Sequence, residues 1–235
     1  MKNHSEQVNE SGFAIIPNVI ELSLADALSA EIQQLQLSQA VKQRGGKAFG
    51  IRRLLEVVPA VRTLAESEIL RSLIEPMLGK NAKVTRGIFF DKNPVANWKV
   101  PWHQDVMIAL QAKKEAAGFS AWSTKAGVVH AQPPVEILQS ILAIRLYLDD
   151  TDENNGALRV IPGSHKCGLL DDEEINKLKE NTKEVTCIVA KGGALLLRPL
   201  LLHASSAAIL PTHRRVLHLE YSAHNLPDGL EWYGS

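Results

Sequence analysis

The sequence predicts a mainly β domain with flanking helices, an α+β arrangement built around an antiparallel barrel or jelly roll. The chain has 235 residues, which is long enough for one sizeable core, and it contains no repeat or linker that would divide it. Up to Gly79 the apolar residues recur at helical spacing, whereas beyond Gly79 they fall into short runs separated by turn sequences. Helices followed by many strands are typical of a β core with helices packed against it. We therefore expect a single domain over residues 1–235.

The N-terminal part, residues 12–80, is predicted to be mostly helical. Ser23 is a candidate N-cap, and Leu24, Leu28 and Ile32 follow it at the spacing of one helix face. In chain order, the predicted elements are a disordered polar tail over residues 1–11, a β-like segment over 12–20, and helices over 23–38, 59–66 and 67–78.

The following part, residues 81–222, is predicted to form the β core. Turn signals such as Asn154-Asn155-Gly156 and Gly192-Gly193 divide runs that are apolar or alternate between apolar and polar residues. A charged surface helix is predicted over residues 171–180. The predicted strands cover residues 82–90, 137–148, 157–161, 184–190, 194–198 and 214–221.

A long irregular insertion is predicted within this core, over residues 112–135. Loops of this length frequently act as lids or binding loops. The insertion contains Trp122 and His130, and we treat His130 as a candidate substrate contact.

The composition excludes several classes of partner. Lys plus Arg and Asp plus Glu both total 26, so the formal net charge is zero, and no basic surplus favours nucleic acid or an anionic membrane. No apolar run approaches the roughly 18 residues of a membrane-spanning helix, and the polar N-terminus does not resemble a signal peptide. The two cysteines, Cys167 and Cys187, do not form a C-x-x-C pattern, so neither a disulfide framework nor a cysteine zinc site is expected. A cytoplasmic protein with a small-molecule ligand is the resulting expectation, and the sequence does not indicate an oligomeric state.

The tripeptide His103-Gln104-Asp105 is the strongest chemical signal in the sequence. Side chains two residues apart on a strand point to the same side, so His103 and Asp105 can reach one point while Gln104 faces away. A second strand carrying His203 would add another imidazole. Two imidazoles and one carboxylate suit non-haem Fe(II), because this ligand set leaves adjacent coordination positions open. Taken singly, an H-x-D pair is also common on surfaces, and a histidine at the end of an apolar run is also common in cores.

Two arginines, Arg214 and Arg215, follow His203 and are candidates for binding the organic acid that such an iron centre uses. An iron centre of this type usually needs an organic acid as electron donor, and a guanidinium is suited to the far carboxylate of that acid. Arg214 and Arg215 lie on opposite faces of a predicted strand, and parity alone does not select between them. Ser205 lies two residues beyond His203 and hence on the same face.

Arg145 interrupts an otherwise apolar strand. A buried guanidinium without a partner is costly, so Arg145 is expected to face a polar cavity or an anion. The alternative is a structural salt bridge to Asp149, Asp150 or another carboxylate.

Several segments together resemble the phytanoyl-CoA dioxygenase family of Fe(II)/2-oxoglutarate-dependent oxygenases. They are residues 102–105, 148–168 and 199–215, and they carry H-x-D, then N-G-x-L followed by P-G-S-H-K, then a distal histidine. In that last segment a serine follows the histidine at plus two and an arginine at plus eleven. The resemblance extends from about Gly12 to Tyr221.

The resemblance implies a double-stranded β-helix, which is a cupin-like jelly roll, with flanking helices. An early basic residue lines the cosubstrate site in some family members, and Arg52 or Arg53 is the candidate here. The implied roles are iron binding by His103, Asp105 and His203, binding of the 2-oxoglutarate 5-carboxylate by Arg214 with help from Ser205, and lining of the cosubstrate site by Arg145.

The implied reaction is hydroxylation of an unactivated C–H bond of a small-molecule metabolite, in which 2-oxoglutarate and O2 give succinate and CO2. Asp105 is the metal-binding carboxylate that halogenating relatives replace, so hydroxylation or a related oxidation is favoured. Residues 112–139 do not match a phytanoyl-CoA pocket, so that substrate is not transferred. The same residues also permit two other interpretations: a cupin-like Zn(II) hydrolase or isomerase without 2-oxoglutarate, and a non-catalytic barrel that binds a small acid.

Overall fold

Antiparallel strands form the framework of this chain, and the computed structural model describes residues 3–35, 41–44 and 47–234. The helices are α1 His4–Ser11, α2 Leu22–Gln34, α3 Leu54–Val57, α4 Pro59–Ala65, α5 Glu68–Leu78, α6 Val135–Gln139 and α7 Asp172–Asn181, with a 3-10 turn at Ser164–Cys167. The strands are β1 Phe13–Ile16, β2 Val41–Arg44, β3 Lys47–Ile51, β4 Lys83–Lys92, β5 Val100–His103, β6 Ile108–Leu110, β7 Ser120–Lys125, β8 Val128–Gln132, β9 Ile141–Tyr147, β10 Leu158–Val160, β11 Val185–Cys187, β12 Ala194–Leu197, β13 His203–Ser205 and β14 Arg214–Ser222.

The described strands form three sheets. The largest has seven strands in the order β1-β12-β9-β14-β4-β3-β2, and a second has four strands in the order β11-β10-β13-β5. A small sheet has the order β6-β8-β7. Apolar residues from the first two sheets share one buried cluster, so these sheets pack face to face with a core between them.

Strand β9 shows why the central strands are apolar on both faces. Ile144 and Leu146 pack in the cluster formed with the helices, whereas Ala143 and Tyr147 pack in the cluster between the sheets. A strand covered on both sides carries apolar residues without a break, which accounts for the continuous run in the sequence. Arg145 is the exception on the inner face, and it therefore points between the sheets.

Helices α2 to α5 cover the outer face of the large sheet. Leu28 and Ile32 of α2 and Leu70 and Ile74 of α5 are buried in the same cluster as the sheet residues. The predicted helices over 59–66 and 67–78 are confirmed, and Ser67 lies at the N-cap position of α5.

The N-terminal segment differs from the prediction. Residues 4–11 form helix α1 instead of the expected disordered tail over 1–11, because Asn3 and Glu6 form a reciprocal capping box. Val8 is fully buried against the core, and Gly12 ends the helix with a left-handed φ of 86°.

Three further predictions need correction. The part over residues 12–80 is less helical than expected, because β1, β2 and β3 lie within it. Helix α2 begins at Leu22 with Glu21 at the N-cap, so Ser23 lies inside the helix, and residues 36–38 of the predicted helix lie outside the described residues. The predicted strand over 137–148 begins with helix α6, whose Ile137 and Leu138 are buried on one side of a short helix.

The predicted irregular insertion is largely a β-hairpin. Strands β7 and β8 pair with each other across a turn at Ala126 and Gly127, and β8 also pairs with β6. Aromatic and aliphatic residues of this segment, including Phe119 and Trp122, pack on a cluster around Ile108 and Leu110. The segment is therefore held to the body of the protein.

Among the described residues, no helix is both long enough and apolar enough to cross a membrane.

We predict that Leu196→Ala lowers the free energy of unfolding by about 2–5 kcal/mol, because Leu196 of β12 is fully buried between the large sheet and the helices and the change leaves a cavity. Urea unfolding followed by circular dichroism measures this. The matched control is Leu210→Ala, at a side chain that is 66% exposed, which should change stability by less than about 0.5 kcal/mol. Equal losses in the two variants would contradict the assignment of this core.

Candidate metal and cosubstrate site

Two neighbouring strands bring the predicted histidines together. β5 ends at His103 and β13 begins at His203, and these two residues pair directly in the antiparallel register. Their ring centroids are 4.2 Å apart. His203 begins its strand, and the apolar residues 199–202 before it form a turn and not part of that strand.

Asp105 completes the group from just beyond the end of β5. Its backbone N–H donates to the Pro199 carbonyl at 2.9 Å, which ties this segment to the turn before β13. Its carboxylate oxygens lie 3.6 Å from His103 Nε2 and 3.5 Å from His203 Nε2. One ligand atom from each of the three residues lies within 4.8 Å of the other two, which is compact enough for a shared metal ion.

Backbone carbonyls fix the orientation of both imidazoles. His103 Nδ1 lies 2.9 Å from the Pro101 carbonyl, and His203 Nδ1 lies 2.8 Å from the Leu201 carbonyl. A carbonyl oxygen only accepts hydrogen bonds, so each Nδ1 carries a hydrogen, and Nε2 is the ring nitrogen that each histidine turns toward Asp105. Metal-binding histidines are commonly oriented by such a contact at the other ring nitrogen.

The protonation states of the group also suit a cation. Burial lowers the pKa of His203 to about 4. Burial would raise the pKa of Asp105, but the charges of His203 and His103 and a hydrogen bond from His103 outweigh it and hold this pKa below its ordinary value. Burial lowers the pKa of His103, whereas its hydrogen bond to Asp105 raises it, and the net direction is upward. At neutral pH the group therefore offers a neutral imidazole on His203 and a carboxylate on Asp105, the forms that bind metals.

Gln104 faces away from this group, as the strand parity predicted, and it has a structural role. Its side-chain Nε2 donates to the carbonyls of Gly168 and Leu200, each at 2.8 Å, and its Oε1 accepts from the Leu170 N–H at 2.9 Å. Gln104 thus links the H-x-D segment to the loop after the 3-10 turn and to the turn before His203. A single buried amide holds three pieces of backbone that surround the candidate metal site.

Arg214 lies in the same cavity as the three ligand candidates. Its side chain is 2% exposed, and its Nη1 donates to the Gly156 carbonyl. Burial, with a smaller effect from Arg145, lowers its pKa to about 10, so it stays charged at neutral pH. Within the described residues it has no salt bridge to a carboxylate, and its Nε has no hydrogen-bond partner.

Ser205 is beside Arg214, and the strand parity predicted from His203 places it in the same cavity. Its hydroxyl donates to the Gly156 carbonyl at 2.8 Å. The same carbonyl therefore receives hydrogen bonds from Arg214 and from Ser205. Gly156 has a left-handed φ of 81°, and a Cβ there would lie 2.7 Å from the Ser206 carbonyl oxygen, so the turn requires glycine.

The structure also distinguishes the two members of each arginine pair between which the sequence did not decide. Arg215 pairs with Asp149 through contacts of 2.8 and 2.6 Å, away from the cavity. Arg52 lines the cavity, whereas Arg53 is exposed and pairs with Glu56.

Arg145 faces the cavity and is not held in a salt bridge among the described residues. Its guanidinium lies 5.7 Å from the centroid of the Phe90 ring, and it forms no ion pair within the described part of the chain. Asp149, its suggested structural partner, is bonded to Arg215. Of the two expectations for Arg145, the structure agrees with the polar cavity.

Sequence reasoning missed a polar network on another wall of the cavity. Glu220 is buried and accepts from Arg86 Nη1 at 3.1 Å, and His218 Nε2 lies 3.1 Å from the same oxygen. Both His218 and Glu220 share the strand face of Arg214, so the period of two in β14 was a usable signal. It also missed the buried Lys92, whose Nζ donates to Ser205.

The remaining wall of the cavity is mostly apolar. Ile88, Phe90, Trp98, Val100 and Leu158 line it, and the space including its open mouth is about 750 Å³. The described lining contains no residue from 112–135, so that segment does not cover the cavity in this structure. His130 is buried with its Nδ1 3.0 Å from the Val128 carbonyl.

Comparison with known proteins agrees with this site. Residues 8–216 match the phytanoyl-CoA dioxygenase family. A search of curated protein sequences gave no significant match. The chain therefore belongs to the phytanoyl-CoA dioxygenase family.

Solved structures show the same fold. AviO1 from Streptomyces viridochromogenes Tue57 is 21% identical, with a TM-score of 0.67 over 96% of this chain and 94% of that one. EctD from S. alaskensis, solved with 2-oxoglutarate and 5-hydroxyectoine, is 18% identical, with a TM-score of 0.72 over 93% and 74%. The 2-oxoglutarate-dependent epimerase SnoN from nogalamycin biosynthesis is 17% identical, with a TM-score of 0.68 over 96% and 89%.

These comparisons confirm two predictions made from the sequence. The fold is the cupin-like jelly roll with flanking helices. The chain is an Fe(II)/2-oxoglutarate-dependent dioxygenase, which is the enzyme class of the family to which it belongs.

Gln104→Leu should lower the free energy of unfolding by about 2–4 kcal/mol, because it leaves two carbonyls and one N–H without their partner. It should also reduce iron content at a fixed Fe(II) concentration, since the segment carrying Asp105 loses its anchor. Urea unfolding and metal analysis measure the two effects. Gln33→Leu, at an exposed position of α2, is the control, and a Gln104 variant that behaves like it would show that the amide does not support the site.

Proposed function

We propose that this protein hydroxylates an unactivated C–H bond of a small-molecule metabolite and converts 2-oxoglutarate and O2 into succinate and CO2. One observation carries the proposal. The ligand atoms of His103, Asp105 and His203 converge within 4.8 Å, and the buried guanidinium of Arg214 lies in the same cavity. Membership of a 2-oxoglutarate-dependent family supports this interpretation.

The proposed iron ligands are His103 Nε2, His203 Nε2 and one oxygen of Asp105. Two imidazoles and one carboxylate are a typical donor set for non-haem Fe(II) in oxygenases, and the donor atoms are close enough for one ion. When bound, Fe(II) with 2-oxoglutarate supplies the activation of O2 and the oxidative loss of CO2. The protein's share of the chemistry is the placement of these three donors and of the groups around them.

Arg214 is the proposed partner of the 5-carboxylate of 2-oxoglutarate. A guanidinium that is 2% exposed and has no carboxylate partner among the described residues is suited to a bidentate contact with an incoming anion. Ser205 is proposed to assist, because its hydroxyl can turn from the Gly156 carbonyl and donate to the same carboxylate. Arg145 is proposed to line the cosubstrate site between Arg214 and the metal ligands.

The apolar wall of the cavity has a separate role. Ile88, Phe90, Trp98 and Val100 exclude water from the space beside the ligand group, which protects a reactive centre from side reactions and presents C–H groups of a substrate. The network of Arg86, Glu220 and His218 provides polar groups that can fix the substrate's orientation.

Two observations support hydroxylation as the outcome of this chemistry. Asp105 occupies the carboxylate position of the ligand group, and halogenating relatives lack that carboxylate. The related EctD structure holds 2-oxoglutarate together with a hydroxylated compound, 5-hydroxyectoine. Family membership counts against a Zn(II) hydrolase and against a non-catalytic barrel, and the buried Arg214 counts further against the hydrolase, which needs no cation for an organic diacid.

A turnover screen tests the proposal. The Fe(II) protein is incubated with 2-oxoglutarate and a metabolite library under 18O2, and succinate release is measured with product mass. We expect one metabolite to stimulate succinate release and to gain one 18O atom. Stimulated release with a product that loses two hydrogens, or that keeps its mass, would contradict hydroxylation while keeping the enzyme class.

His203→Ala should lose stoichiometric iron, because it removes one of three donors and leaves a cavity at a side chain that is 2% exposed. Metal analysis after reconstitution measures this. His224→Ala, which changes a histidine outside the ligand group, should retain iron. Equal iron content in the two variants would contradict the proposed ligand set.

Arg214→Ala should weaken 2-oxoglutarate binding by about 2–5 kcal/mol and leave the iron content near that of the wild type, because it removes one partner of a buried ion pair. Calorimetric titration of the Fe(II) protein without O2 measures the affinity. Arg215→Ala is the matched control, since Arg215 pairs with Asp149 outside the cavity and its loss should leave 2-oxoglutarate affinity unchanged. A larger effect for Arg215 would show that the wrong arginine is assigned.

A further inference from the structure

Lys92 is a buried cation behind the proposed cosubstrate pocket. It ends strand β4 directly opposite Arg214 in the register with β14, and its side chain is 1% exposed. It belongs neither to the H-x-D motif nor to the segment that carries His203, Ser205 and Arg214.

The ammonium of Lys92 is held by groups that belong to that pocket. Its Nζ donates to Ser205 Oγ at 2.6 Å and to the Ser206 carbonyl. It also lies 5.8 Å from the centroid of the Trp98 ring. Lys92 therefore contacts the hydroxyl that the proposed function assigns to the 5-carboxylate of 2-oxoglutarate.

The charges that face Lys92 are all positive. Arg214 on β14 and Arg145 on β9 both disfavour its protonated form. Asp91, the next residue in the chain, directs a carboxylate oxygen to Asn93 and His213 and forms no ion pair with Lys92. In the part of the chain that the structure describes, no carboxylate forms a salt bridge with Lys92.

A buried amine among cations is costly to the fold unless an anion joins it. Burial, with Arg214 and Arg145, lowers the pKa of Lys92 to about 7. A methionine of similar length would fill this space without that cost, so packing alone does not account for a lysine here. An anion bound at Arg214 would offset these positive charges and would favour the protonated form of Lys92.

The hydrogen bonding of Ser205 connects Lys92 to that anion. The Ser205 hydroxyl has one hydrogen, which it donates to the Gly156 carbonyl, and its oxygen accepts from Lys92. While Lys92 occupies a lone pair of the oxygen, the hydroxyl hydrogen is free to turn toward a carboxylate bound at Arg214.

We infer that Lys92 is a positioning residue of the cosubstrate site. Lys92 orients Ser205 through the hydrogen bond to its Oγ, and it becomes the second cation that stabilises the 5-carboxylate of 2-oxoglutarate. This inference rests on the proposed function. When the dianion binds, the fraction of Lys92 that is a neutral amine takes up protons from solvent and becomes an ammonium, and no other bond changes.

The affinity for 2-oxoglutarate depends on pH because binding of the anion is coupled to protonation of Lys92. An anion raises the pKa of Lys92 above its value of about 7 in the free protein. The extra affinity is therefore fully present below pH 7 and is lost as the pH rises through the higher, bound-state pKa. A tenfold contribution to affinity corresponds to a rise of about one pKa unit and to uptake of about half a proton at pH 7.5.

The test is calorimetric titration of the Fe(II) protein with 2-oxoglutarate without O2, in two buffers that have different ionisation enthalpies. For the wild type we expect uptake of about half a proton at pH 7.5. Lys92→Met should bind about tenfold more weakly at pH 6, lose this uptake, and approach the wild-type affinity near pH 9. Lys99→Met, at an exposed lysine on the segment after β4, should match the wild type in affinity and uptake.

The outcomes separate this inference from the proposed function. If the wild type binds 2-oxoglutarate but Lys92→Met keeps the same affinity and proton uptake, Lys92 has no role at the site. If the wild type does not bind 2-oxoglutarate, the proposed function fails, and the inference fails with it. Without 2-oxoglutarate, Lys92→Met should unfold at the wild-type temperature or above it, because the change removes a buried amine that no anion pairs. If both Lys92→Met and Lys92→Gln fail to fold, Lys92 is a structural residue and the inference is overturned.

Discussion

The register between β5 and β13 is the constraint on which the site depends. His103 pairs directly with His203, so two residues that are one hundred positions apart in the chain have rings 4.2 Å apart. A slip of one residue in either strand would turn its histidine to the other face of the sheet. The Gln104 amide and the hydrogen bond from Asp105 to the Pro199 carbonyl hold the segments next to this pair. The ligand geometry is therefore a property of backbone pairing and not of side-chain choice alone.

The second feature of the site is an excess of buried positive charge. Arg214, Arg145 and Lys92 face one region, and Glu220, a buried carboxylate on the cavity wall, is already paired with Arg86. Such an arrangement lowers the stability of the free protein, because each cation is desolvated without a counterion. A bound organic dianion would remove that cost, so binding of the cosubstrate should also stabilise the fold. Arg214, Arg145 and Lys92 thus link the affinity for 2-oxoglutarate, the proton uptake on binding and the stability of the fold.

Much of the fold could be predicted from local patterns. The helices over 59–66 and 67–78 and the strands of the core follow from periodicity and from Gly and Pro signals, because burial imposes those patterns directly. The disordered tail was a wrong prediction, although Asn3 and Glu6 form a capping box that is visible in the sequence. The hairpin in residues 112–135 was missed because its strands alternate weakly and its turn is Ala126-Gly127.

The site could be predicted only in part, and the reason is physical. His103 and Asp105 share a local motif, and the plus-eleven offset from His203 selected Arg214 before the structure placed Arg215 with Asp149. Lys92 had no local signal, since its importance comes from pairing with Arg214 and from burial. Whether Arg145 faces a cavity or forms a salt bridge also depended on which arginine pairs with Asp149, and that partner is Arg215. Local spacing fixes which residues can meet on one strand, whereas contacts between strands depend on the whole sheet.

One spectroscopic measurement tests the central claim most directly. Under anaerobic conditions, 2-oxoglutarate is added to the Fe(II) protein and the visible absorption spectrum is recorded. If two imidazoles and one carboxylate hold the iron and leave positions for a chelating 2-oxo acid, a weak charge-transfer band should appear and saturate at one 2-oxoglutarate per iron. A folded, iron-loaded protein that gives no band at saturating 2-oxoglutarate would contradict the account.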